Sequence, residues 1–122
     1  MTIDNDLMLR DGTVSLEASE ATPTAKDFSG EDLMPMFYHV DVPAVSGTTP
    51  TMLVELQGSE TEGGTYTTFA TFESITAAGH YIKQAITEFR WRRAKMTLGG
   101  TDTPAFGAVM VYPEPAGRYN EK

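Results

Sequence analysis

Two imidazoles, His39 and His80, are the first residues in this chain that could do acid–base or metal chemistry. Neither lies in a metal-ligand motif, and their strand-like surroundings read as partly exposed structural positions. The six serines, Ser15, Ser19, Ser29, Ser46, Ser59 and Ser74, occupy no nucleophile-elbow pattern. Glu55, Glu73 and Glu88 are the carboxylates a rigid element could hold, but a glycosidase needs two at a set separation and no spacing pairs them. The chain has no cysteine, which removes the thiol nucleophile, thiolate metal sites, disulfides and redox work together. Asp4-Asn5-Asp6 lacks the ligand spacing and glycine of a calcium loop. The run from Gly58 to Gly64 is glycine-rich but too acidic to cradle phosphate. The residues therefore read as a protein that is not an enzyme and carries no cofactor or metal.

The elements read as β. At 122 residues the chain fits one domain able to bury its own core. The organising stretch is Phe89–Leu98, which holds the only tryptophan and four of the nine basic residues. Phe89 and Trp91 alternate with Arg90 and Arg92. Ala94, Met96 and Leu98 then alternate with Lys95 and Thr97. The apolar phase changes between Trp91 and Ala94, which predicts a bulge near Arg92-Arg93 or a strand bent between two sheets. Trp91 reads as core. Met36, Tyr38, Val40 and Val42 share one side of a strand, with Phe37, His39 and Asp41 on the other. Pro43 stops that strand, and Ala44 to Pro50 is a turn-rich link. Met52, Val54 and Leu56 face inward from the next. Thr65–Ile75, His80–Ile86 and Ala105–Tyr112 complete the set, and Pro113-Glu114-Pro115 predicts that the last ladder stops before it. Seven or eight short strands between turn residues imply an antiparallel sandwich or barrel. Residues 1–33 read as an arm, 34–112 as the β body and 113–122 as a tail. Removing the arm should leave the body folded.

The net charge is −8 and is unevenly placed. Residues 1–62 hold twelve Asp/Glu against two Lys/Arg, and residues 63–122 hold five against seven. Such asymmetry suits a solvated acidic face or a head-to-tail fit between copies. Nucleic acid is a poor partner, because Arg90, Arg92, Arg93 and Lys95 split between two strand faces. Nothing resembles a signal peptide or a membrane span, so the expected site of synthesis is the cytoplasm. Of the seven methionines, Met52, Met96 and Met110 suit core gaps. Met34 and Met36, flanking Pro35, and the apolar knot Leu7, Met8 and Leu9 are the candidates for contact with another protein.

A polar arm precedes the β body, the middle reads Leu53-Val54-Glu55-Leu56-Gln57-Gly58-Ser59 before an acidic glycine loop, and Phe89-Arg90-Trp91-Arg92 leads to Leu98-Gly99-Gly100-Thr101. Over residues 34–112 this resembles the small jelly-roll cement, or decoration, proteins of tailed bacteriophage capsids. The resemblance implies an all-β, antiparallel β-sandwich of jelly-roll type with an extended N-terminal arm. It implies a homotrimer on the capsid exterior that clamps major capsid protein subunits, with no nucleic acid or membrane partner. Phage tail and collar proteins carry similar strands. The alternative is a β-sandwich carbohydrate-binding module, with Trp91, Tyr66, Tyr81 and Tyr112 as stacking platforms.

Overall fold

The computed structural model describes residues 8–11, 16–20, 23–28 and 36–115. Eight strands follow in order: β1 (Arg10–Asp11), β2 (Lys26–Asp27), β3 (Met36–Val42), β4 (Ser46–Ser59), β5 (Thr67–Thr71), β6 (Gly79–Ala85), β7 (Trp91–Ala105) and β8 (Met110–Pro115). There is no helix among the described residues. Sheet A has the order β1-β8-β3-β6 and sheet B the order β2-β7-β4-β5. All the ladders are antiparallel. Pairings β1·β8, β2·β7, β3·β6 and β4·β5 are those of one long hairpin. Pairings β3·β8 and β4·β7 are added when that hairpin rolls into two layers. This is the jelly-roll arrangement, as the strand pattern and the resemblance imply.

Alternation explains which faces meet. Met36, Tyr38, Val40 and Val42 of β3 are buried, as are Met52, Val54 and Leu56 of β4. Strand β7 departs from its expected phase. Its register with β4 runs unbroken from Ser59↔Trp91 to Thr51↔Gly99, so no bulge lies at Arg92-Arg93. The shifts fall further along, where Thr49 has φ 49° and Gly100 φ 110°. A Cβ at Gly100 would lie 2.4 Å from the Thr49 carbonyl oxygen, so that crossing requires glycine. The inward row of β7 is Arg92, Ala94 and Met96, all buried, while Trp91 points outward and is half-exposed. The apparent phase change came from assigning an arginine to solvent.

Arg92 is fully buried, and its bonds explain how a charge is tolerated there. Its Nε donates to the Phe89 carbonyl at 2.8 Å, Nη2 to the Thr87 carbonyl at 3.2 Å, and Nη1 to the Tyr38 hydroxyl at 3.0 Å across the sandwich. The Met36 sulfur lies 3.6 Å from Nη1, and the guanidinium carbon stands 4.4 Å from the centroid of the buried Phe28 ring. Such a group is costly to bury unless its donors are met, and here carbonyls, a phenol and a π face meet them. A second arginine joins the layers at one edge. Arg10 of β1 in sheet A grips Glu20 through two 3.2 Å contacts, and Glu20 bridges to Met96 of sheet B.

The described parts of residues 1–33 lie in the sandwich rather than apart from it. Strand β1 pairs with β8, β2 pairs with β7, and Leu16 exchanges backbone bonds with Phe106 and Gly107. Met8, Leu9, Leu16 and Phe28 are buried. At the other end β8 runs through Pro113 to Pro115, opposite Tyr38 and Met36. A proline cannot exchange both bonds of a hydrogen-bonded pair, so these two occupy the alternate, non-bonded positions. Strand β7 likewise continues through Gly99-Gly100 to Ala105, and β4 begins at Ser46 inside the expected link.

Deleting residues 1–33 removes the Phe28 ring and three other buried apolar side chains. At roughly 1.5–3 kcal/mol for each, that loss approaches or exceeds the stability of a small domain. Urea unfolding should show no cooperative transition for the shortened chain, against one for the full chain. Burial also holds the Tyr38 hydroxyl above the ordinary tyrosine value of 10.0, against the lowering effect of Arg92. The unfolded chain therefore ionises first, so this stabilising contribution is complete below pH 10.0 and is lost as pH rises through the folded-state value. Tyr38→Phe should flatten that alkaline decline while costing about 2 kcal/mol at neutral pH, because a buried hydrogen bond to a charged group is lost.

Candidate functional site on the outer face of sheet A

The outward phase of β3 carries Phe37, His39 and Asp41. Opposite them on β8 stand Glu114, Tyr112 and Met110, and on β6 stand Gln84, Ile82 and His80. His39 is thus flanked directly by Tyr112 and Ile82 and diagonally by Glu114 and His80, within reach of long side chains. The rings of His39 and Tyr112 stack at 4.7 Å and 4°. His39 Nε2 lies 2.8 Å from Glu114 Oε1, and its Nδ1 lies 2.9 Å from His80 Nε2. His80 Nδ1 faces Asp41 Oδ1 at 3.8 Å. The four groups form a line from depth to solvent. Glu114 and His39 are buried, whereas the His80 and Asp41 side chains are 40% and 47% exposed.

The donor roles follow from this line. The Glu114 carboxylate can only accept, so His39 Nε2–H donates to it. In neutral His39 the Nδ1 atom is then an acceptor, and His80 Nε2–H donates to it. One further proton fits on His80 Nδ1, facing Asp41. A second would set N–H against N–H across the 2.9 Å contact and break it. Glu114 Oε2 is buried and accepts no hydrogen bond from the described residues. The Tyr112 hydroxyl is held above the ordinary tyrosine value by burial first, then by the Asp41 and Glu114 charges, so it stays a neutral phenol.

The array resembles half of a catalytic triad, a carboxylate orienting an imidazole. The second nitrogen of His39 is spent on His80 rather than on a hydroxyl or thiol. No group of three or more His, Cys, Asp or Glu is arranged to hold a metal among the described residues. What the array does is tie together rings from β3, β6 and β8 beside an edge strand, with His39 and Tyr112 stacked in parallel and His80 tilted 51° to both. That edge is β6. Among the described residues it pairs with β3 on one side only, and most of its residues are exposed on both faces. Ile82 within it and Ile86 just after it are each 55% exposed, the exposed large hydrophobic residues of the described chain.

The residues expected to contact another protein are placed elsewhere. Met8, Leu9 and Met36 are buried within the chain itself, Leu9 just before β1 and Met36 on β3 as members of the core; Leu7 and Met34 lie outside the described residues. The acids that might have paired are separate: Glu55 faces Lys95 at 3.9 Å, and Glu73 and Glu88 stand exposed in connections. The aromatic platforms are also dispersed. Tyr112 stacks on His39, Tyr81 packs against the core and donates to the Ala77 carbonyl, and Trp91 and Tyr66 belong to the outer side of sheet B. Sequence reasoning placed His39 and Asp41 on the outward side of β3, but only the β3·β6 and β3·β8 registers bring His80 and Glu114 to them.

Long-range ¹H–¹⁵N correlation spectra should show His39 and His80 both as Nε2–H tautomers at neutral pH, and an Nδ1–H tautomer at His39 would contradict the assignment. His80→Ala should cost about 1 kcal/mol, the usual net value of one such bond, measured by urea unfolding. The sequence matches no protein-family model and no curated protein.

Proposed function

We propose that this chain is a bacteriophage virion structural protein that decorates the outer surface of the capsid and stabilises contacts between major capsid subunits. It is made in the host cytoplasm and acts as a homotrimer. The observation that carries the reading is the β6 edge. An open strand with two exposed isoleucines, beside a rigid histidine-braced face, is a surface built to be covered by another protein. The jelly-roll order supports the same reading, through the resemblance of residues 34–112 to capsid cement proteins.

The physics suits the role. A protein that binds subunits only in their assembled arrangement stabilises the assembly by mass action. Many copies multiply the effect, and linked copies gain effective concentration. A closed threefold oligomer matches threefold positions of a shell. Tyr81 and Tyr112 lie on sheet A, and Trp91 and Tyr66 on the outer side of sheet B each already face an arginine, which weighs against a carbohydrate-binding module with its platforms together and open.

Co-sedimentation with expanded capsids tests this. The wild-type chain should pellet with the shells. Ile82→Lys with Ile86→Lys should keep the β-type circular dichroism and the melting transition but bind at least tenfold more weakly, since burying each isoleucine is worth roughly 1.5–3 kcal/mol. Wild-type protein that stays in the supernatant would overturn the function, and full binding by the double variant would overturn the β6 assignment.

A further inference from the structure

The outer side of sheet B carries a guanidinium that is held in place but not used. Arg93 projects outward from β7, opposite Gln57 of β4. Its Nε donates to Gln57 Oε1 at 2.8 Å, and Gln57 Nε2 reaches Thr68 Oγ1 of β5 at 3.4 Å. The guanidinium carbon lies 4.0 Å from the centroid of the Tyr66 ring. That ring is fixed in turn by its hydroxyl, which donates to the Glu62 carbonyl at 2.8 Å. Three strands and one turn therefore immobilise Arg93 through its Nε edge and one face. Its two Nη groups have no partner among the described residues. A long side chain normally loses much rotamer freedom when it binds, and here that loss has already occurred in folding.

We propose that Arg93 is the anchor of a carboxylate-recognition site, reading an Asp or Glu side chain of a protein partner through its paired Nη groups. A planar fork of parallel N–H donors matches a carboxylate bidentately. The neighbours decide the kind of anion. Arg90 is already engaged by Asp27 through 2.8 and 2.9 Å bonds, and Lys95 faces Glu55. The patch thus offers one open fork between two carboxylates, which suits an isolated acid and repels a track of phosphates. A guanidinium already stands over each nearby ring, Arg93 over Tyr66 and Arg90 over Trp91 at 5.7 Å. These rings are poorly placed to stack on a sugar acid, and a side-chain carboxylate is favoured. The site lies on the opposite sheet from the β6 edge and stands whether or not the partner there is a capsid.

The test is an NMR titration of ¹⁵N-labelled full-length protein at low salt with hexaglutamate, alongside hexaglutamine and an oligogalacturonate at matched carboxylate concentration. The Arg93 Nε–H and Gln57 side-chain amide signals should shift saturably with hexaglutamate and not with hexaglutamine. Arg93→Lys keeps the charge but removes the fork, and should weaken the interaction at least tenfold while backbone signals away from the site stay in place. An unmoved Arg93 signal, or hexaglutamate binding by Arg93→Lys within threefold of wild type, overturns the site. Tighter binding of the oligogalacturonate than of hexaglutamate overturns the choice of a protein partner.

Discussion

A charged side chain at the centre of a β-sandwich is affordable only if every donor finds an acceptor, and Arg92 shows what that demands. Its acceptors come from separate parts of the chain: the connection after β6 gives the Thr87 and Phe89 carbonyls, and β3 gives the Tyr38 hydroxyl. The segment after β2 gives the Phe28 ring. Apolar burial supplies most of the folding free energy but is non-directional. The guanidinium adds direction, since only one placement of these segments satisfies it. We read Arg92 as the constraint that fixes how the rolled hairpin closes and draws the N-terminal region into the core.

That closure shapes both outer surfaces. Once Arg92 takes the inward position on β7, Trp91 and Arg93 must face out, and the outer side of sheet B gains its cation–aromatic cluster. Once Tyr38 faces in to meet Arg92, His39 must face out on β3, and its register with β6 and β8 completes the histidine line. The two surfaces differ in character. Sheet A offers an open strand edge with exposed isoleucines, while sheet B offers a rigid cationic fork. A protein whose role is to hold others in place has use for both, one supplying apolar area and the other orientation.

Much of the fold was legible in the sequence. The alternation of Met36–Val42 and of Met52–Leu56 gave strand faces that burial bears out. The β reading of His80–Ile86 corresponds to β6. What misled was a sound rule applied to its exception. Arginine is almost never fully buried unless its donors are met, and nothing local to Arg92 announces that Tyr38, 54 positions away, will complete the set begun by the nearby Thr87 and Phe89 carbonyls. The same long-range dependence hid the embedding of Leu16 and Phe28, which lie in loop-like composition and are buried by strands far along the chain. The histidine line was half legible: strand phase put His39 and Asp41 on one face, but pairing register cannot be read from one strand alone. Pro113 and Pro115 misled for a related reason, since a proline's missing donor matters only at the bonded positions of a ladder.

The measurement that bears most directly on the central constraint is hydrogen exchange at the Arg92 Nε–H, followed by ¹⁵N-resolved spectra under native conditions. If the guanidinium is locked between the sheets, this proton exchanges only when the whole domain opens, at the rate of the slowest backbone amides of β3 and β7. Exchange as fast as that of the exposed Arg90 would show that Arg92 reaches solvent without unfolding, and would contradict its role as the residue that closes the sandwich.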